Sequence, residues 1–171
     1  MAATTPRPSA WPILIAGGGI SSLALALALR RGAGDAVAVT IAEPGPPHSA
    51  SGGRAYAVSP ASRIMLDALG IWPVLAPMAQ PIRAMRITDS RPRDAIRPDY
   101  LGFRAGEDET LGYLLEATPI AAALGAACRE AGVVFVRERI EAPSPETSRI
   151  AVAIGGAPRH AALLVAADGS G

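Results

Sequence analysis

Ile13-Leu14-Ile15-Ala16-Gly17-Gly18-Gly19-Ile20-Ser21-Ser22, continued by the Ala/Leu-rich stretch from Leu23 to Arg31, is the segment that decides the fold. A short apolar, β-rich run meets three glycines and then a segment of high helix propensity, the pattern of strand, tight turn and helix. Arg30 and Arg31 fall where cations favour the dipole at a helix C-terminus, and Gly32 or Gly34 can supply the left-handed cap. A second β-rich run, Val37 to Ala42, ends in Glu43 and is broken by Pro44-Gly45-Pro46-Pro47. The result is one βαβ unit of about thirty residues, with the apolar strands of a parallel sheet covered on both faces.

The glycines have a physical purpose in that place. Gly17 allows the tight turn and Gly19, one residue past Gly18, lets the backbone approach a pyrophosphate, while the first amides of the helix and its dipole face the anion. The third position of this Gly-x-Gly-x-x-Gly fingerprint is Ser22, small enough for close helix–strand contact. Glu43 stands 21 residues beyond Ser22, where an acid accepts hydrogen bonds from adenosine ribose hydroxyls and repels a 2′-phosphate. The unit therefore reads as a site for FAD or NAD and not for NADP. The competing reading is a plain glycine turn in an α/β sheet with a solvated strand-end acid; context and spacing together favour the nucleotide site over it.

Outward from this unit, His48 to Gly53 reads as a polar loop, Ala61 to Leu69 as a helix closed by Gly70, and Gln80 to Ser90 as one strand. Arg91 to Asp108 is a charged, Pro-containing excursion that returns in a strand at Leu111 to Glu116. Pro119 to Ala131 reads as a helix with Gly132 past its end, and Val133 to Val136 as a strand. Arg149 to Ile154 and Ala161 to Ala166 read as two further strands around Gly155-Gly156, the second ending in Ala167-Asp168-Gly169. Met1 to Pro12, with three prolines, reads as a loose tail without the pattern of a secretory signal.

Composition narrows the chemistry. The 171 residues include 18 Gly and 16 Pro, yet 50% are hydrophobic and 18% charged, a globular composition rich in turns. All 16 basic residues are Arg, so a phosphate loop ending in Gly-Lys-Ser/Thr and a Schiff-base lysine are both excluded. One cysteine, Cys128, and two distant histidines, His48 and His160, fall short of a zinc ligand set, and no metal is expected. A lone cysteine also speaks against a flavin disulfide reductase. With a formal net charge of +1 no global field draws the chain to nucleic acid. From Arg83 to Arg104, six Arg face three Asp, a local positive excess that suits either a solvated face or contact with an anionic group or membrane surface. Trp11 and Trp72 read as packing residues, and Cys128 as a small buried hydrophobe.

The order of Ile13 to Leu29, Glu43, Gly53-Arg54-Ala55-Tyr56-Ala57-Val58-Ser59, Leu69-Gly70-Ile71-Trp72, Gly112-Tyr113-Leu114-Leu115-Glu116 and Ala167-Asp168-Gly169 resembles that of the class A FAD-dependent aromatic hydroxylases. It is most similar to their ubiquinone-biosynthesis branch, the polyprenylphenol hydroxylases, in which an Arg-Ala-x-Ala-Leu-Ser-like segment follows the ribose acid. The resemblance implies that Gly17, Gly18, Gly19 and Ser22 hold the FAD pyrophosphate, that Glu43 binds the adenosine ribose, and that Arg54 contacts the flavin nucleotide. Asp168 and Gly169 match a motif near the pyrophosphate that is also linked to NAD(P)H use. Arg54 has its own logic, since a guanidinium on a glycine-preceded loop can fork onto phosphate oxygens.

On this resemblance the expected fold is α/β, a Rossmann-like FAD-binding βαβ domain of the glutathione-reductase type with an antiparallel β excursion from a substrate domain. Residues 1–11 would be a flexible tail, 12–78 and 116–171 the two parts of the FAD-binding domain, and 79–115 the excursion. The implied function is an FAD-dependent monooxygenase that hydroxylates a phenolic ring in ubiquinone biosynthesis, with NAD(P)H as co-substrate and molecular oxygen as the source of the inserted atom. No protein nucleophile is required and no catalytic residue is assigned. The implied partners are a phenolic or quinone-precursor substrate and no nucleic acid, with peripheral membrane contact and self-association left open. The implied location is cytoplasmic or peripheral at the inner membrane. Family members are more than twice this length, so the chain is expected to be an N-terminal portion lacking a later flavin-contacting Gly-Asp motif and inactive alone. A noncatalytic FAD- or ADP-binding module, a split subunit, and another FAD- or NAD-linked oxidoreductase are the alternatives.

Overall fold

The computed structural model describes residues 10–45, 53–88 and 99–169. Along the chain run β1 (Trp11–Ala16), α1 (Ile20–Ala33), β2 (Val37–Ala42), β3 (Ala55–Val58), α2 (Pro60–Ala68), α3 (Trp72–Leu75), β4 (Gln80–Ile82), β5 (Ala84–Thr88) and β6 (Asp99–Arg104). There follow β7 (Gly112–Glu116), α4 (Ala117–Glu130), β8 (Val134–Val136), β9 (Ile140–Pro145), β10 (Ile150–Ile154), β11 (Ala157–Ala161) and β12 (Leu163–Ala166). The fold is mixed α/β with a parallel sheet, and it divides into two compact units, Met1–Gly52 with Ile120–Gly171, and Gly53–Pro119.

In the first unit the parallel sheet has the order β12-β1-β2-β8, with Ile13 opposite Leu163 on one side and Val39 on the other. Side chains alternate across the faces of a strand. Leu14 joins Val152 and Ala161 in a buried cluster edged by Ile140, Ile150, Ile154 and Leu164, so the antiparallel meander β9-β10-β11 covers one face. Ile13, Ile15, Val39 and Ile41, also buried, belong to the other face, against which α1 packs. The fully buried Cys128 of α4 donates its thiol hydrogen to the Leu23 carbonyl of α1 at 3.2 Å. The parallel sheet is thus covered on both faces as its apolar strands require, by helix on one and by β-structure on the other.

Two helix ends in this unit are tied by backbone chemistry. Gly34, at φ +54°, caps α1 by donating its N–H to Arg30 O. The Arg30 guanidinium, 18% exposed, donates to the carbonyls of Ala131, Gly34 and Val37 and to the Asp35 carboxylate. Far from merely favouring a dipole, Arg30 joins the end of α1 to the start of β2 and the end of α4. α4 closes at Gly132, φ +77°, with Val133 N–H reaching back to Cys128 O at 2.9 Å.

The structure corrects four sequence expectations here. β1 begins at Trp11, so the strand takes in two residues assigned to the tail; residues 1–9 lie outside the described set. Trp11 is not a packing residue, being 64% exposed. The single strand expected over Ala161 to Ala166 is two, because Ala162 N–H binds Pro12 O at 2.8 Å and carries the chain from the meander into the parallel sheet. Strand β9 was not expected at all: its Pro143 and Pro145 suppress the sequence signal, yet proline is tolerated because β9 is an edge strand.

In the second unit β3-β7-β4 form an antiparallel sheet and β5-β6 a two-stranded ribbon. Ser59 caps α2 by accepting the Ser62 N–H at 3.2 Å, with Pro60 at the first helical position. Trp72 is buried and meets Tyr113 edge-on at 4.9 Å, while the Arg63 guanidinium lies 5.5 Å from its ring centre. The strand expected over Gln80 to Ser90 breaks at Arg83, its two parts pairing with different partners, β7 and β6. Arg91, Arg93 and Arg97 of the basic stretch, and the loop from His48 to Gly52, lie outside the described residues.

Candidate functional site

The site is built at the carboxyl ends of β1, β2 and β12, where the strand order turns back on either side of β1 and where open α/β sheets take their ligands. β1 ends at Ala16 and the chain turns at Gly17, whose φ of +99° is left-handed and whose N–H binds Ala42 O at 2.8 Å. A Cβ at Gly17 would stand 2.6 Å from Asp168 Cα, closer than real Cβ contacts come. Glycine is required there twice over, by conformation and by space.

Glu43 continues β2, its N–H bonded to Val136 O of β8 at 3.0 Å. Its carboxylate turns back to the glycine turn. Oε2 accepts the Gly18 N–H at 2.8 Å and Oε1 accepts the Gly45 N–H at 2.9 Å. Gly19 is the N-cap of α1, in extended conformation and with no side chain capping the helix, and a Cβ built on it would meet nothing within 4 Å. The first turn of α1 therefore presents backbone donors beside an uncrowded glycine, the arrangement that suits an anion. Ser22 is fully buried and its hydroxyl donates to Ala167 O at 3.2 Å. Its side chain fits the close helix–strand contact normally reserved for glycine and ties α1 to the end of β12. Asp168 and Gly169, the latter at φ +80°, are exposed just beyond that carbonyl.

Of the residues singled out from the sequence, Gly17, Gly18, Gly19, Ser22, Glu43, Asp168 and Gly169 thus meet in the first unit. Arg54 belongs to the second. It is exposed, its carbonyl accepts the Ala117 N–H at 2.8 Å, and its guanidinium has no partner among the described residues. The sequence reading missed Gly45, whose amide completes the hold on Glu43. The signal was present as a glycine two residues after an acid, but it was read only as part of a loop. Burial pushes the Cys128 thiol up to about 11, so this cysteine is a packed neutral group within the core behind the site. Among the described residues no cluster of His, Cys, Asp and Glu could hold a metal ion, and no helix is long and apolar enough to cross a membrane.

No protein-family model and no curated protein matches the chain. Solved structures do. The Diels-Alderase PyrE3 of pyrroindomycin biosynthesis superposes with a TM-score of 0.70 at 23% identity, over 93% of this chain and 32% of its own. The flavin-dependent monooxygenase PieE, in complex with FAD and substrate, gives 0.68 at 20% identity, over 97% and 31%. A tetrameric 2-methyl-3-hydroxypyridine-5-carboxylic acid oxygenase gives 0.71 at 18%, over 95% and 40%. The chain has the fold of one part of these proteins. It spans between about a third and two fifths of their length.

Proposed function

We propose that the chain binds FAD and serves an FAD-dependent monooxygenase. The observation that carries this reading is the Gly17–Gly19 turn, which has Glu43 hydrogen-bonded on one side and the Ala167–Asp168 backbone against Gly17 on the other. The residues fit the cofactor's adenosine diphosphate portion. The amides that open α1 would receive the pyrophosphate, with Gly19 leaving room for its approach. Glu43 would accept the ribose hydroxyls, because its two oxygens hold one backbone donor each and a carboxylate has about four acceptor sites. The same carboxylate disfavours a 2′-phosphate at that position. Asp168 and Gly169 would border the pyrophosphate, and for Arg54, which belongs to the other unit, the proposed flavin-nucleotide contact rests on its motif alone.

Bound FAD would supply the redox and oxygen chemistry, and the chain's own residues would bind and orient it. In the finer form of the proposal, the substrate is a phenolic ring of a ubiquinone precursor and NAD(P)H is the reductant. Support for this finer form comes from the order of motifs alone, while the oxygenase and the monooxygenase among the superposed structures support the general monooxygenase reading. A second reading, a noncatalytic FAD- or ADP-binding module, keeps the same nucleotide site without the oxygen chemistry; PyrE3, which shares the fold, is named a Diels-Alderase and not an oxygenase, so the fold alone does not imply oxygen insertion.

The test supplies the chain with FAD, NADH or NADPH, a polyprenylphenol and isotopically labelled oxygen. Label in a hydroxylated product supports the monooxygenase. FAD uptake without labelled product, under either nicotinamide donor, supports the FAD-binding part of the proposal and is expected both of the module and of a monooxygenase portion that is inactive alone.

A further inference from the structure

Glu43 does more than stand ready for a ribose. Its carboxylate spans two separate backbone segments, accepting from Gly18 in the turn after β1 and from Gly45 in the loop after β2. The side chain lies against the turn so closely that a Cβ on Gly18 would stand 3.0 Å from Glu43 Cγ. We infer that Glu43 is a positioning residue, one whose carboxylate fixes the conformation of the glycine turn independently of any ribose contact. A charged acceptor holding a backbone N–H makes one of the stronger hydrogen bonds available to a loop. Without this hold the turn keeps, among the described residues, the Gly17 bond to Ala42 O, the bond from Leu23 N–H to Gly19 O and the backbone contact with Ala167 and Asp168. The turn sets where the first amides of α1 stand, so Glu43 governs pyrophosphate binding through geometry as well as ribose binding through contact. In this ligand-binding part the inference deepens the proposed function and rests on it.

Three variants separate the roles. Glu43→Gln keeps the size but turns an amide donor toward one of the two N–H groups. Glu43→Asp keeps the charge but is one methylene too short to span both segments. Gly18→Ala leaves Glu43 intact and pushes it away.

The first measurement is amide hydrogen exchange of the ligand-free chain by NMR, with circular dichroism melts showing that each variant is folded. Exchange at Gly18 and Gly45 is expected to rise on the order of tenfold in Glu43→Gln and in Glu43→Asp, and at Gly45 in Gly18→Ala. Unchanged rates in all folded variants would overturn the inference. The second measurement titrates wild type and Glu43→Gln with ADP and with 2′,3′-dideoxyadenosine diphosphate, which has no ribose hydroxyls. Positioning requires that Glu43→Gln weaken both nucleotides by about fivefold or more, whereas a loss confined to ADP leaves Glu43 as a ribose acceptor only and overturns the inference. If wild type binds neither nucleotide, the proposed function fails and the exchange rates alone decide the positioning role.

Discussion

The two units of this chain bury their apolar residues in different ways. In the first, the strands β1 and β2 place Ile13, Leu14, Ile15, Val39, Ile41 and Ala42 in the interior, with helix on one face and meander on the other. In the second, the ribbon β5-β6 leaves Met85, Ile87, Tyr100, Leu101 and Phe103 exposed, Tyr100 by 76%. Apolar sequence is therefore not a sufficient sign of burial. What distinguishes the first unit is that ties of the site are also ties of the fold: Gly17, Ser22 and Glu43 each join segments far apart in the chain, as Arg30 does at the other end of α1. Substitutions there should cost stability, and substitutions on the ribbon should not.

The largest effect is expected from Gly17→Ala. A left-handed φ of +99° and the overlap with the Ala167–Asp168 backbone together cost about 3 kcal/mol, or a fall in Tm of roughly 9 °C. A thermal melt with a shift under about 2 °C would mean that the turn relaxes away from β12 at little cost.

Arg30→Ala comes next. Losing the donor to three carbonyls is expected to destabilise by about 2 kcal/mol, and Arg30→Lys should recover only part of it, because an ammonium cannot reproduce the planar fork. Denaturant unfolding of both variants checks this, and full recovery by lysine would reduce the role of Arg30 to charge alone.

Ser22→Ala removes one buried donor from Ala167 O and is expected to cost about 1 kcal/mol. A Tm unchanged from wild type would show that the hydroxyl contributes nothing beyond its fit. Smallest of all is Phe103→Thr on the ribbon, expected to stay within about 0.5 kcal/mol because the ring is already half in water. If Phe103→Thr destabilised as much as Arg30→Ala, the contrast between the units would collapse.

The same contrast explains what the sequence disclosed. The β1–α1–β2 unit was legible because strand, glycine turn and helix are neighbours in the chain, and because Glu43 falls at a spacing that the ribose-binding chemistry requires. That the Ala167–Asp168 backbone packs on Gly17 depends on β12 pairing with β1, a contact across some 150 residues that no local pattern encodes. Strand β9 was hidden because its prolines are unfavourable in general and harmless on an edge. The break at Arg83 was invisible for a different reason, since β4 and β5 read as one apolar run and only their partners separate them. Arg30 was recognised as a helix-end cation, but its reach to Ala131 comes from tertiary packing.

The account stands most directly on whether the glycine turn takes FAD. The decisive measurement is the absorbance spectrum and flavin stoichiometry of the purified chain, as isolated and after addition of FAD, beside Glu43→Arg. Near-equimolar flavin in wild type and its loss in Glu43→Arg is the expected result. A folded, colourless protein that takes up no added FAD would contradict it.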